Sequence, residues 1–139
     1  MTRKRLDAQL QAINDQVMHM GELVDYGLES VLAACADGDA ALCERVIVAD
    51  KQVDRLRDEI NQSVLRLMTL QQPLGARDLR FLTAVLSIAS NLERTGDGAA
   101  GIARLQLQIL ALPEQSGETL PITQSRSSQP IVNEEELRK

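Results

Sequence analysis

Leucine, valine, isoleucine and methionine return every three or four residues along the first 112 positions of the chain, with polar residues between them. Over residues 3–36 the apolar positions are Leu6, Leu10, Ile13, Val17, Met20, Val24, Gly27 or Leu28, and Val31. That spacing places one apolar stripe on a helix and excludes the strict alternation of a half-buried strand. A second stripe, Leu42, Val46, Ala49, Val53, Leu56, Ile60, Val64 and Leu67, predicts a helix over residues 40–70. Its steps are close to a heptad, which favours long helices packed side by side at a shallow angle. A third stripe, Leu79, Leu82, Leu86, Ala89, Leu92, Gly96, Ala99, Ile102 or Ala103, and Leu110, predicts a helix over residues 76–112.

The breaks between stripes carry turn chemistry. In Asp37-Gly38-Asp39, Gly38 suits the left-handed position that closes a helix and Asp39 suits the next N-cap. In Gln71-Gln72-Pro73-Leu74-Gly75, Pro73 has no amide hydrogen to donate and disfavours helix at Gln72. Pro113 stops the third helix. The predicted fold is therefore all-α, an antiparallel three-helix bundle over residues 1–112. Residues 113–139 are rich in Ser, Thr, Gln, Glu and Pro and lack periodicity, so they are expected to be a disordered polar tail. Within it, Ile131, Val132 and the run Glu134–Leu137 are suited to forming a short helix on binding.

Composition agrees with helices. Apolar residues make up 44% of the 139 residues but aromatics only 1%, Tyr26 and Phe81. A core of Leu, Val, Ile, Ala and Met fits a helical bundle better than a β-sandwich. The formal net charge of −5 disfavours nucleic acid as a partner and is compatible with cations or basic surfaces. The basic start, Arg3-Lys4-Arg5, is followed by Asp7, Gln9 and Gln11 rather than by the apolar run of a signal peptide. The most apolar window, Phe81 to Ala89, is far short of the roughly 20 residues a membrane span needs. A soluble, cytoplasmic protein without membrane insertion is expected. Cys35 and Cys43 flank the first turn at similar heights, so a disulfide is conceivable, but two small buried thiols are the favoured reading.

The chemistry lies in carboxylates. Asp50 and Asp54 sit four residues apart on the second helix, and Glu93 and Asp97 four apart on the third. Each pair therefore shares a helix face. Asp50 with Asp97, and Asp54 with Glu93, are equidistant from the midpoint of the connecting turn, between Pro73 and Leu74. In an antiparallel hairpin such residues lie at equal heights, so the four acids converge if the two faces also turn towards each other. Oxygen-only donors suit Mg²⁺, Ca²⁺, Mn²⁺ or iron. Other acidic pairs at this spacing, Asp25 with Glu29 and Asp54 with Asp58, show how often it means only a solvated face, and Arg55, Arg57 and Arg94 offer simple ion pairs. His19 is the one histidine and has no catalytic motif around it. The sequence GDGAAG, Gly96 to Gly101, formally matches a dinucleotide loop, but it sits inside a predicted helix with no strand before it. Three glycines in that stretch lower helix stability, which close packing against a neighbouring helix, a bound metal or a docked partner would offset.

The order and spacing of Asp50-Lys51-Gln52-Val53-Asp54, Gln71-Gln72-Pro73, Asp78-Leu79-Arg80 and Leu92-Glu93-Arg94-Thr95-Gly96-Asp97 resemble the PhoU family of phosphate-transport regulators. The resemblance covers about residues 5–112. It implies a three-helix bundle carrying E/D-x-x-x-D motifs that in some members bind iron or other metals, with Asp50, Asp54, Glu93 and Asp97 at the matching positions. It implies no enzyme. It implies regulation of phosphate uptake and signalling together with a phosphate ABC transporter and a sensor histidine kinase; taken with the oxygen-only donors, iron, manganese or magnesium is the metal expected on the acidic patch. Thr95 stands where the family pattern suggests Ile. Family members typically hold two three-helix repeats and this chain holds one, so a two-repeat arrangement would need a homodimer. The rival reading is a helical dimerisation or adapter module without metal or phosphate role.

Overall fold

The computed structural model describes residues 2–71 and 73–113; the proposed tail beyond Pro113 and its candidate short helix lie outside the described residues apart from Pro113 itself. Three helices follow in order: α1 (Arg3–Asp37), α2 (Ala40–Leu70) and α3 (Ala76–Ala111). Each packs on the other two, with α2 antiparallel to its neighbours. No strand occurs among the described residues. The all-α three-helix bundle is the architecture expected from the stripes.

The caps explain the boundaries. The Arg5 amide donates to Thr2 Oγ1 at 3.3 Å and opens α1. At its end Gly38 takes φ 68°, the left-handed conformation that costs glycine little. The Leu42 amide donates to Asp39 Oδ1 at 3.0 Å and opens α2 one residue later. Gln71 closes α2 by donating its amide to the Leu67 carbonyl at 3.0 Å, just before Pro73.

Two apolar clusters fill the bundle. The larger, towards the α2–α3 connection, contains Ile13, Met20, Val24, Val53, Ile60, Val64, Leu82 and Val85. Fully burying a side chain such as Ile60 or Leu82 stabilises the fold by about 1.5–3 kcal/mol. The smaller, towards the α1–α2 turn, contains Val31, Ala34, Cys43, Val46, Ala99 and Ala103. Small side chains let the helices close together there: a Cβ on Gly27 would lie 3.9 Å from the Ala99 Cβ.

The structure departs from the predicted stripes in particular places. Leu79 and Leu110 are exposed, not inward. At the start of α3 the inward position belongs to Asp78, which is only 6% exposed. Arg3 makes this possible by donating to both Asp78 carboxylate oxygens, at 2.6 and 3.2 Å, and so tying the start of α1 to the start of α3. Ala103, not Ile102, faces the core, and Leu107 packs against the cluster where Leu110 was expected. The cysteines are both free thiols; Cys43 is buried as expected, but Cys35 is exposed.

Candidate metal centre

The two apolar clusters meet at a waist, and the carboxylates sit there. Asp50 follows Val46 by one turn and precedes Val53, so it falls on the inward face of α2 between the clusters. It is buried, 8% exposed, and its Oδ1 has no hydrogen-bond partner. Asp54, one turn further along, is half-buried, and its Oδ1 is likewise unpartnered. Asp97 reaches across from α3 on an exposed position. Asp50, Asp54 and Asp97 each offer a carboxylate oxygen within 4.8 Å of the others.

Gly96 is what lets Asp50 sit so deep. A Cβ at that position would lie 2.9 Å from Asp50 Oδ1, with Val53 Cγ1 and Val24 Cγ2 close behind. Of the glycines in the GDGAAG stretch, Gly96 alone is needed for a close approach; a Cβ on Gly98 or Gly101 would meet nothing within 4 Å. A small cavity of about 10 Å³, lined by Val24, Gly27, Asp50, Val53, Gly96 and Ala99, lies beside the carboxylate. It is near the smallest space that admits one water.

Burial and the neighbouring charges raise the proton affinity of Asp50 and Asp54. Asp50 is pushed up to about 6, first by burial and then by the charges of Asp54 and Asp97. Asp54 is also raised, first by burial and then by Asp97. A group with these properties is short of positive charge and of hydrogen-bond donors. Oxygens bound to one cation at 2.0–2.6 Å lie at most about 4 to 5 Å apart, so the separation within the group fits a single hard cation. With oxygen donors only, Mg²⁺, Ca²⁺, Mn²⁺ and iron are the ions that match.

Glu93 is placed differently. It lies on the same side of α3 as Asp97 but outside the three-carboxylate group, and Arg57 Nη1 donates to its Oε2. The equal heights expected for Asp54 and Glu93 leave room for Arg57, one turn beyond Asp54 on the same face, to meet Glu93 first. The acidic pair Asp25 and Glu29 is exposed, in keeping with a solvated face. Away from this waist, a cleft of about 310 Å³ between α1 and α2 is lined by Gln9, Ile13, Gln16, Arg66, Leu67 and neighbours. It lies roughly 25 Å along α2 from Asp50 and gathers no acidic group.

The PhoU domain family model matches residues 17–106, a stretch that takes in all four acids and most of the three helices. The chain belongs to the PhoU family. Among relatives, the phosphate-specific transport system accessory protein PhoU homolog of Clostridium acetobutylicum is 33% identical over 104 residues, 75% of this chain and 48% of that protein. The phosphate-specific transport system accessory protein PhoU of Edwardsiella tarda is 36% identical over 107 residues, 77% of this chain and 44% of that protein. The PhoU of Escherichia coli K12 is 35% identical over 104 residues, 75% of this chain and 43% of that protein. The chain thus spans about half the length of the PhoU relatives it matches. No solved structure matches.

Proposed function

We propose that this chain is a non-enzymatic regulator of phosphate uptake and phosphate signalling, acting through protein contacts and holding a divalent or iron cation on Asp50, Asp54 and Asp97, with Glu93 beside them. The metal half of this reading is carried by one observation. Asp50 is more than nine-tenths buried, its Oδ1 has no partner, and it meets two further carboxylates across the α2–α3 interface. An ionised carboxylate so placed costs free energy unless a positive charge offsets it. A cation there would neutralise the group and bridge α2 to α3.

The phosphate half is supported by family membership and by relatives named as accessory proteins of the phosphate-specific transport system. On this reading the partners are a phosphate ABC transporter and a sensor histidine kinase, met at the cytoplasmic side of the membrane. No helix among the described residues is long and apolar enough to cross one. Two copies of the chain would together supply two carboxylate groups, and the outer face of α3 supports such pairing. Ile102, Leu105 and Ile109 recur there at steps of three and four and are all exposed. That is the spacing with which one helix packs against another.

Expression of the chain in a bacterium lacking its own PhoU tests the regulatory reading. Alkaline phosphatase should fall back towards the repressed level in phosphate excess. Unchanged phosphatase with normal expression of the chain would contradict it and favour the plain adapter module.

A further inference from the structure

We propose that Arg57 gates the carboxylate group: it holds Glu93 out of the Asp50–Asp54–Asp97 set until a divalent cation draws Glu93 across and leaves Arg57 on Asp58. This inference rests on the metal reading above and adds to it the residue that controls entry of the fourth carboxylate.

The geometry has three parts. Arg57 follows Asp54 by three residues on α2 and Glu93 precedes Asp97 by four on α3, so both stand one turn beyond the three-carboxylate group on the faces that carry it. The Arg57–Glu93 ion pair joins the two helices at that point. The Glu93 side chain is 19% exposed, so its charge needs a partner, and Arg57 is the one it has.

The ion pair is also built to be exchanged. Arg57 Nη2 already donates to Asp58 Oδ1 at 3.2 Å, and the Asp58 side chain is well exposed. Release of Glu93 therefore leaves the guanidinium paired and partly in water. Arg57 Nε is buried and has no partner, so the guanidinium is held at only part of its donor set. A hard cation asks for six to eight oxygens, which three carboxylates alone do not fill when each binds through one oxygen. Glu93 is the nearest further carboxylate on the α3 face, one turn from Asp97. Bringing it in trades a partly exposed ion pair, which contributes little, for a bond to the cation.

The test is a calorimetric titration with Mn²⁺ of the wild type, Arg57→Gln, Glu93→Gln and the double variant, with the Mn²⁺ electron paramagnetic resonance spectrum of each complex. Arg57→Gln should bind about threefold to fivefold tighter, because Glu93 no longer has to leave a partner. The gain should vanish in the double variant, and Glu93→Gln alone should weaken binding and change the spectrum. An Arg57→Gln affinity equal to the wild type overturns the gate, as does a gain that persists without Glu93, since Arg57 would then act only as a distant charge. A wild type that takes no Mn²⁺ defeats the metal reading itself, a different result from either of these. Should Arg57→Gln fail to fold by circular dichroism, Arg57→Lys keeps the charge but loses the two-partner fork; a partial gain is expected and no gain overturns the gate.

Discussion

Asp50 and Gly96 are complementary across the α2–α3 interface: the carboxylate Oδ1 occupies space that a Cβ on Gly96 would approach to 2.9 Å. The consequence is a contrast between neighbouring glycines. Gly96→Ala must push the Asp50 carboxylate off its position and should abolish cation binding by the group. Gly98→Ala meets nothing within 4 Å and should raise stability by about 0.5–1 kcal/mol through helix propensity alone. Thermal melting and a metal titration of the two variants check this; equal behaviour would mean that the close approach at Gly96 has no consequence.

The acids also set a pH dependence. Asp50 is raised from 3.8 to about 6, so between these values the folded state binds more protons than the unfolded state. Metal-free stability should therefore rise as pH falls from about 7 to about 4, the reverse of the usual behaviour of a salt-bridged carboxylate. Asp50→Asn should flatten that slope and stabilise the metal-free protein at pH 7 by roughly 1–2 kcal/mol. With a cation bound the slope should invert, since the carboxylates must lose their protons to bind it. Melting temperature against pH, with and without Mn²⁺, measures all three.

Arg3 and Asp78 act in the opposite sense. The hydrogen bonds from Arg3 hold the Asp78 carboxyl below its usual range, so this contact stabilises the fold above about pH 4 and is lost as pH falls further, through the lowered value. Arg3→Ala would leave Asp78 buried without its partner. It should lower the melting temperature at pH 7 and increase hydrogen exchange at the starts of α1 and α3, where Arg3→Lys should do less. Unchanged exchange at both helix starts would contradict a clamping role.

The outer face of α3 gives a prediction about association. Leu105 is 59% exposed and central in the row from Ile102 to Ile109. Leu105→Glu should shift sedimentation towards the monomer while leaving the melting of the bundle within about 0.5 kcal/mol, as for a surface position. A wild type that sediments as a monomer at all concentrations would rule out the homodimer.

Much of this was legible in the chain because the bundle obeys simple periodicity. Steps of three and four, the Asp-Gly-Asp turn and Pro73 gave helix boundaries within a residue of those observed. The misplaced positions share one cause. A stripe rule assumes that the inward position is apolar, whereas at the start of α3 it is Asp78, admitted by an arginine 75 residues away in sequence. Likewise Ile102 and Ala103 fit the spacing equally well, and only the close approach of α1 and α3 near Gly27 and Ala99 favours the smaller residue.

The acids show the same limit. Symmetry about the α2–α3 turn fixes height, and it picked out four residues, of which Asp50, Asp54 and Asp97 come together. Height leaves the azimuth open, and a long side chain such as Arg57 can capture an acid before its neighbours do. The depth of Asp50 depends on the absent side chain of Gly96, and the sequence offered that only as an unusually small stretch of helix. Arg57 was visible as one of several nearby arginines, with nothing in the spacing to single it out.

Cation binding by Asp50, Asp54 and Asp97 underlies the proposed site. The most direct measurement is metal content by mass spectrometry, after incubation with Mn²⁺ or Fe²⁺ and gel filtration, of the wild type beside Asp50→Asn/Asp97→Asn. About one metal ion per chain is expected in the wild type, stoichiometry being set by one three-carboxylate group, and none in the variant. A wild type that retains no metal, or a variant that retains as much, would contradict it.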